Sequence, residues 1–166
     1  MRVMRKFMLA IIVAFLACGS FSTLKAQDNA SNQEIAGLVS QLSWDSVGGE
    51  CRFYWHIFPT GEAAKKLLKI GKPATDELLK VLEDESKGVA AHLILSQIWE
   101  PKNISWENRI EGDDFVHVYN GLKWADVLKK RSVKRRVNKV DLVKNAEEWR
   151  RKVASYRGST EQRRRA

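Results

Sequence analysis

Lys66 to Trp99 reads KLLKIGKPATDELLKVLEDESKGVAAHLILSQIW, and the way this stretch folds limits how the rest can fold. Its apolar residues recur at helical spacing, and the breaks between them fall at glycine and proline. Just upstream and into it, Ala63, Ala64, Leu67, Leu68 and Ile70 make a short helix. Gly71 follows, where the left-handed backbone just past a helix end favours glycine. Pro73 opens a second helix: its fixed φ suits the first turn, and its missing N–H has no helical partner there. Leu78, Leu79, Val81 and Leu82 give that helix a wide apolar face. The EDES segment turns the chain, and Val89 to Trp99 forms a third helix. Its run VAAHLIL is apolar nearly all round, which predicts burial on most sides and makes it the central helix of the domain.

Residues 63–99 resemble a single HEAT-like helical repeat of the bacterial type. The positions that carry the resemblance are Ile70, Gly71, Pro73 and Ala74, then Leu78, Leu79, Leu82 and Asp84, and finally Val89, Leu95 and Ile98. It implies a protein-interaction scaffold without catalytic residues of its own. Ala90 stands where such repeats usually place Arg, so the Asp–Arg link between neighbouring units is missing. No second copy recurs at a period of ~30–45 residues, and a solenoid needs about three stacked units to bury its core. The expected fold is therefore α+β, mainly helical: a compact domain built around a HEAT-like helix pair, with a small β-hairpin and a C-terminal helix.

The beginning of the chain is an address. Arg2, Arg5 and Lys6 precede the uninterrupted apolar run Phe7–Cys18, a basic segment followed by a hydrophobic one. That run of about 12 residues is too short to span a ~30 Å hydrocarbon core. Met1–Ala26 reads as a cleaved signal peptide with its junction at Ala26 and Gln27, which implies a periplasmic or secreted protein. A second reading anchors a lipoprotein at Cys18, because FLACGS resembles a bacterial lipobox, although Phe15 stands where Leu is preferred. Removing the signal peptide leaves one cysteine, Cys51, so no internal disulfide is available and stability must come from packing.

Beyond the junction, 27–32 is small and polar and is expected to be disordered. Ile35, Leu38, Val39 and Leu42 then mark an amphipathic helix with Asn32 as its cap, broken at the two glycines of DSVGGE. Cys51–Phe58 (CRFYWHIF) reads as one extended segment ending at Pro59. Further on, FVHVYNGLKW places Asn120-Gly121 between β-branched and aromatic residues, a strong hairpin signal. Strands are expected at 114–119 and 122–125, with a third near 104–106. Leu142, Ala146, Trp149, Val153 and Tyr156 form a helix seam with Asp141 as N-cap. The expected organisation is a signal peptide over 1–26 and one globular domain over 27–156. That domain holds a HEAT-like core at 63–99, a hairpin region at 103–125 and a basic C-terminal helix at 140–156. A disordered basic tail over 157–166 ends the chain.

Charge is strongly bipolar. Residues 27–122 carry nine Lys/Arg against fifteen Asp/Glu, a net of −6, whereas 123–166 carry sixteen against five, a net of +11. An acidic body therefore carries a basic end. Lys129, Lys130, Arg131, Lys134, Arg135, Arg136, Arg150 and Arg151 are the candidate partner-binding residues, able to contact phosphates or carboxylates with salt-sensitive affinity. Export makes nucleic acid a poor partner; an anionic envelope surface, an acidic protein or the chain's own acidic body fits better.

The catalytic vocabulary is thin. His56, His92 and His117 sit in separate segments without metal-ligand spacing, and no phosphate loop or nucleophile elbow occurs. His92 reads as a hydrogen-bonded core histidine, and His117 shares a strand face with Phe115 and Tyr119. EGDD at 111–114 reads as a solvated turn with too few ligands for a calcium site. The function expected from the sequence is an exported, non-catalytic protein-binding module, such as an immunity-type inhibitor, with an unidentified protein partner in the envelope and no cofactor or metal. The alternatives are a basic C-terminal segment on an anionic surface or acidic partner, and a thiol hydrolase using Cys51 with a histidine.

Overall fold

Helices and strands follow the punctuation of the sequence, and the fold is α+β, mainly helical, with two small antiparallel sheets and a long C-terminal helix. The computed structural model describes residues 31–51, 55–129 and 132–165. The Ala26–Gln27 junction, Cys18, Lys130 and Arg131 lie outside the described residues. The chain divides into two units, Met1–Gly37 and Leu38–Ala166. Of the first, the described residues 31–37 are helical and begin α1, which runs over 31–40. Asn32, expected to cap this helix, lies inside it.

In the second unit, Leu38, Val39 and Leu42 are buried and close α1 onto a 3-10 turn, Trp44–Ser46. Ser43 caps that turn: its Oγ accepts from the Asp45 N–H at 3.1 Å, and Ser46 Oγ accepts from the Ser43 N–H at 3.2 Å. The glycines of DSVGGE, expected to break this helix, do not: the helix ends at Ser40, and they lie within strand β1, Val47–Cys51. The single extended segment expected over 51–58 is thus two strands. β1 pairs antiparallel with β2, Trp55–Pro59, in the register Gly48 to Phe58 and Cys51 to Trp55. A Cβ at Gly48 would meet the Phe58 ring at 3.0 Å, so the aromatic ring lies directly over the bare backbone of its cross-strand partner.

The stretch that opened the reading forms three helices: α2 (Gly61–Ile70), α3 (Thr75–Lys80) and α4 (Gly88–Trp99). Pro73 sits in a 3-10 turn, Lys72–Ala74, and the α-helix starts only at Thr75. The EDES turn is built by Asp84, whose Oδ1 accepts from the Ser86 hydroxyl, the Ser86 N–H and the Lys87 N–H at 2.6–3.1 Å. The Ser86 hydroxyl bond leads in holding that carboxyl below the usual carboxylate range. α4 is central, as its all-round apolarity predicts: every residue from Gly88 to Ser96 is buried, with α2, α3, β1 and β2 packed against it. Ala63, Ala64 and Leu67 of α2 and Leu78 of α3 fill its surface.

The second sheet has the order β3-β4-β5-β6, a meander of Trp106–Glu111, Asp114–Tyr119, Leu122–Lys129 and Ser132–Val137. Asn120 and Gly121 make the predicted two-residue turn, both at positive φ (43° and 86°), which matches the twist of the strands they join. The EGDD segment is a second two-residue turn, with Glu111 opposite Asp114 and Gly112 at positive φ. The basic run after Lys129, to which no strand was assigned, supplies β6.

The last helix, α5, spans Lys139–Arg165. Its cap is Asn138 rather than Asp141, because Asn138 Oδ1 accepts from the Val140 N–H at 2.9 Å. Leu142, Ala146, Trp149 and Val153 are buried as the seam predicts. The tail over 157–165, expected to be disordered, continues the helix: Arg157 pairs with Asp76 at 2.9 Å, and Ser159 and Thr160 bond back to the carbonyls four residues earlier.

Gly88 is the tightest point of this packing. A Cβ there would lie 2.3 Å from the Leu82 carbonyl oxygen and 3.0 Å from Leu142 Cδ2. Gly88→Ala should therefore lower the unfolding free energy by about 3 kcal/mol, an overpacking cost. Urea denaturation of the variant checks this, with Gly158→Ala as the control: it lies within α5, meets nothing within 4 Å and should raise stability by about 0.5–1 kcal/mol.

Candidate binding surface

Two of the three histidines are consumed by the fold. His92, 1% exposed on α4, sits between β4 and α5. The Trp149 indole donates to its Nδ1 at 2.9 Å, and indole N–H can only donate, so Nδ1 is the bare nitrogen. Nε2 then carries the proton and donates to the Tyr119 carbonyl at 2.6 Å. Burial leaves no water to solvate an imidazolium and lowers the His92 pKa to about 4. His117, also buried, stacks on Trp124 and meets the edge of Phe115. Its Nδ1 bonds Asn108 Oδ1 at 2.7 Å, and its Nε2 lies 3.5 Å from Asp126 Oδ2. Asp126 in turn faces Arg135 Nε at 3.4 Å, and the Arg135 guanidinium donates to the carbonyls of Trp44 and Val47. A polar chain, Asn108–His117–Asp126–Arg135, thus crosses all four strands and ties the sheet to β1.

The candidate basic residues divide accordingly. Arg135 is half-buried and committed to that chain. Arg136 pairs with Asp114, and Arg150 with Glu83 at 2.8 Å. Lys134 and Arg151 are exposed and make no ion pair among the described residues. Lys129 ends β5 opposite Ser132. Much of the basic end is folded back onto the acidic body: besides Arg150, Lys152 reaches Glu100 at 3.3 Å and Arg157 reaches Asp76. Tyr156 stacks on Trp99 and donates to Glu100 at 2.8 Å, a bond that holds its phenol above the usual range.

A cleft of about 420 Å³ opens between the outer sheet face and the start of α5. Two pairs of its charges are matched within the chain, Lys123 with Glu111 at 2.8 Å and Arg136 with Asp114. Lys123 leads and Arg109 assists in holding the Glu111 carboxyl low. Val116, Trp124, Ala125 and Val137 supply the apolar part of its lining. Among the described residues no group of His, Cys, Asp and Glu could hold a metal ion, and no helix is long and apolar enough to cross a membrane.

Among the described residues the exposed large apolar side chains include Val133 on β6 and Val140 on α5, and three more lie on β2 and β3. Phe58 on β2 is 36% exposed, and Trp106 and Ile110 on β3 are 37% and 75% exposed. The exposed His56 ring bridges the sheets, 5.2 Å from Trp106. His56, Phe58 and Trp106 therefore form one patch across β2 and β3. The sequence reading missed it because it placed the third strand at 104–106. The signal was present in the alternation of WENRIE, whose Trp, Asn and Ile fall on one face and Glu, Arg and Glu on the other. Comparisons with protein-family models, with curated proteins and with solved structures find no match for this chain.

The buried, uncharged His92 makes acid destabilising in a defined window. In the unfolded chain it takes up a proton near its ordinary value of 6.5, whereas the folded protein resists protonation until about 4. The stability present above pH 6.5 should fall between pH 6.5 and 4, by about 3 kcal/mol in all from this group. Urea midpoints measured across that range check it, and His92→Gln should flatten the slope.

Proposed function

We propose that this chain is an exported, non-catalytic module that binds another protein through the patch formed by His56, Phe58 and Trp106. The observation that carries the reading is that patch itself, which joins exposed aromatic rings from two separate sheets. Contiguous exposed apolar surface marks interaction sites far more than scattered residues do, and aromatic side chains dominate binding energy. Gly48 supports the same reading, since its bare backbone gives the Phe58 ring a flat seat. An immunity-type inhibitor of an envelope toxin fits this description by analogy with small exported binders.

The alternative with a specific observation behind it is an acidic partner or anionic surface held by Lys134 and Arg151, the exposed members of the candidate set without ion pairs among the described residues. Their neighbours Arg135, Arg136 and Arg150 are already engaged within the chain, which weakens that alternative. A thiol hydrolase is disfavoured by the histidines. Both nitrogens of His92 are bonded, and His117 is buried between Asn108 and Asp126. In the β1–β2 ladder Cys51 stands opposite Trp55 and His56 opposite Glu50, so the two occupy different rows.

Capture from envelope extract followed by affinity measurement separates the readings. Phe58→Lys should weaken the captured protein's binding by about 30-fold, the loss expected of a central aromatic contact. The double charge reversal Lys134→Glu and Arg151→Glu should leave affinity within about threefold and alter mainly its salt dependence. The opposite ranking would transfer the function to the basic end.

A further inference from the structure

The cleft of about 420 Å³ at the start of α5 has an apolar floor and a charged rim. Cross-strand register sets Val116 beside Ala125 and Ala125 beside Arg136, all on the outer face of the meander. Glu111 stands opposite Asp114 and Lys123 opposite Val118, so the 2.8 Å Lys123–Glu111 pair spans the row that holds Val116. Arg136 reaches back to Asp114 in the next row. Val116 and Ala125, 2% and 8% exposed, form the floor beneath these pairs. A volume of this size lies in the range of small-molecule sites, which combine apolar contact with a few placed polar groups.

Five charged residues line the cleft, and four of them are spent on those two pairs. The fifth, Asp141, makes no hydrogen bond or ion pair among the described residues. The capping role expected of it is filled by Asn138, so its carboxylate is left over in the lining. That surplus decides which ligand charge fits. An anion would have to displace Glu111 or Asp114 from their cations and would meet Asp141 as well. A neutral apolar molecule would take water from Asp141 and give nothing in return, which is costly for a charged group. A cation with a short apolar body matches Asp141 and rests on Val116 and Ala125. Its type follows from the remaining lining. Quaternary ammonium ions are recognised on aromatic faces, but the ring of Trp124 stacks on His117 at 5.4 Å on the opposite face of the sheet. A primary ammonium instead brings three N–H donors. Asp141 offers two oxygens, and Asn138 Oδ1, which accepts from the Val140 N–H at 2.9 Å, keeps a second lone pair.

We propose that this cleft binds a primary aliphatic amine, its ammonium group held by Asp141 and Asn138 and its alkyl chain laid on Val116 and Ala125. The amine can be a free alkylamine or the side chain of a lysine on another molecule. The proposal is independent of the partner-binding reading, because Val116 and Trp106 belong to opposite faces of the meander and the test uses the purified chain alone.

Titration with butylamine at low salt, followed by backbone amide shifts, tests it. Val116, Ala125 and Asp141 should show saturable shifts with a dissociation constant of about 1 mM, the affinity expected of so small a ligand. Asp141→Asn should weaken binding by about tenfold or more, since it removes the charged acceptor. Asp141→Glu keeps the charge and should stay within about threefold. Asp113→Asn removes the same charge from the exposed neighbouring turn, outside the cleft, and should leave affinity unchanged. Asp141 makes no bond that holds the fold, so both of its variants should unfold in urea near the wild-type midpoint. Nα-acetyl-lysine methylamide separates the sources: tighter binding than butylamine assigns the cleft to a lysine side chain, and weaker binding assigns it to a free amine. The absence of saturable shifts, indifference to Asp141→Asn, or an equal loss with Asp113→Asn would overturn the proposal. So would tetramethylammonium or butyrate binding as tightly as butylamine.

Discussion

The hydrogen-bonded line from the Trp149 indole through His92 to the Tyr119 carbonyl is the interaction on which the rest of the domain depends. It joins the central helix α4, the second strand of the meander and the long C-terminal helix. An apolar side chain at position 92 would pack, but it would leave a buried indole N–H and a strand carbonyl without partners, each costing about 1–3 kcal/mol. Histidine satisfies both only as one neutral tautomer. The same requirement keeps it uncharged and makes it unavailable for catalysis.

The second constraint is electrostatic. Divided by sequence, the chain is an acidic body with a strongly basic end. Folding brings the two together along α5, where Arg150, Lys152 and Arg157 meet Glu83, Glu100 and Asp76. Each exposed pair contributes little, commonly less than about 1 kcal/mol. Together with the Tyr156–Trp99 stack they hold the helix down well past its last buried residue, Val153. Basicity that looks like an offer to an external anion is thus partly an internal dock. Lys134 and Arg151 are the described members of the candidate set left without an ion pair.

The meander shows how a polar network and an exposed patch divide one sheet. Across its middle, Asn108, His117, Asp126 and Arg135 link the strands and reach the β1 carbonyls, so the inner face is fixed by directional bonds as well as by Trp124 and Tyr119. At the β3 side the same face opens to solvent as Trp106 and Ile110, next to Phe58.

Local signals carried far in this chain. Helical spacing and punctuation at Gly71 and Pro73 define α2 to α4, and the all-round apolarity of VAAHLIL marks α4 as the centre. Asn120-Gly121 specifies its turn because only residues tolerant of positive φ fit it. These are near-neighbour effects, which a sequence can encode directly. The sequence alone could not show that Cys51–Phe58 divides between two strands, because apolar runs read alike in one strand or two. It also gave no sign that the basic run after Lys129 would form β6, or that 157–165 would stay helical. Those outcomes depend on partners distant in the chain: β5 for β6, and Asp76 for Arg157. The aromatic patch has the same origin. His56 and Trp106 are 50 residues apart in the chain, and only the packing of two separate sheets brings their rings to 5.2 Å.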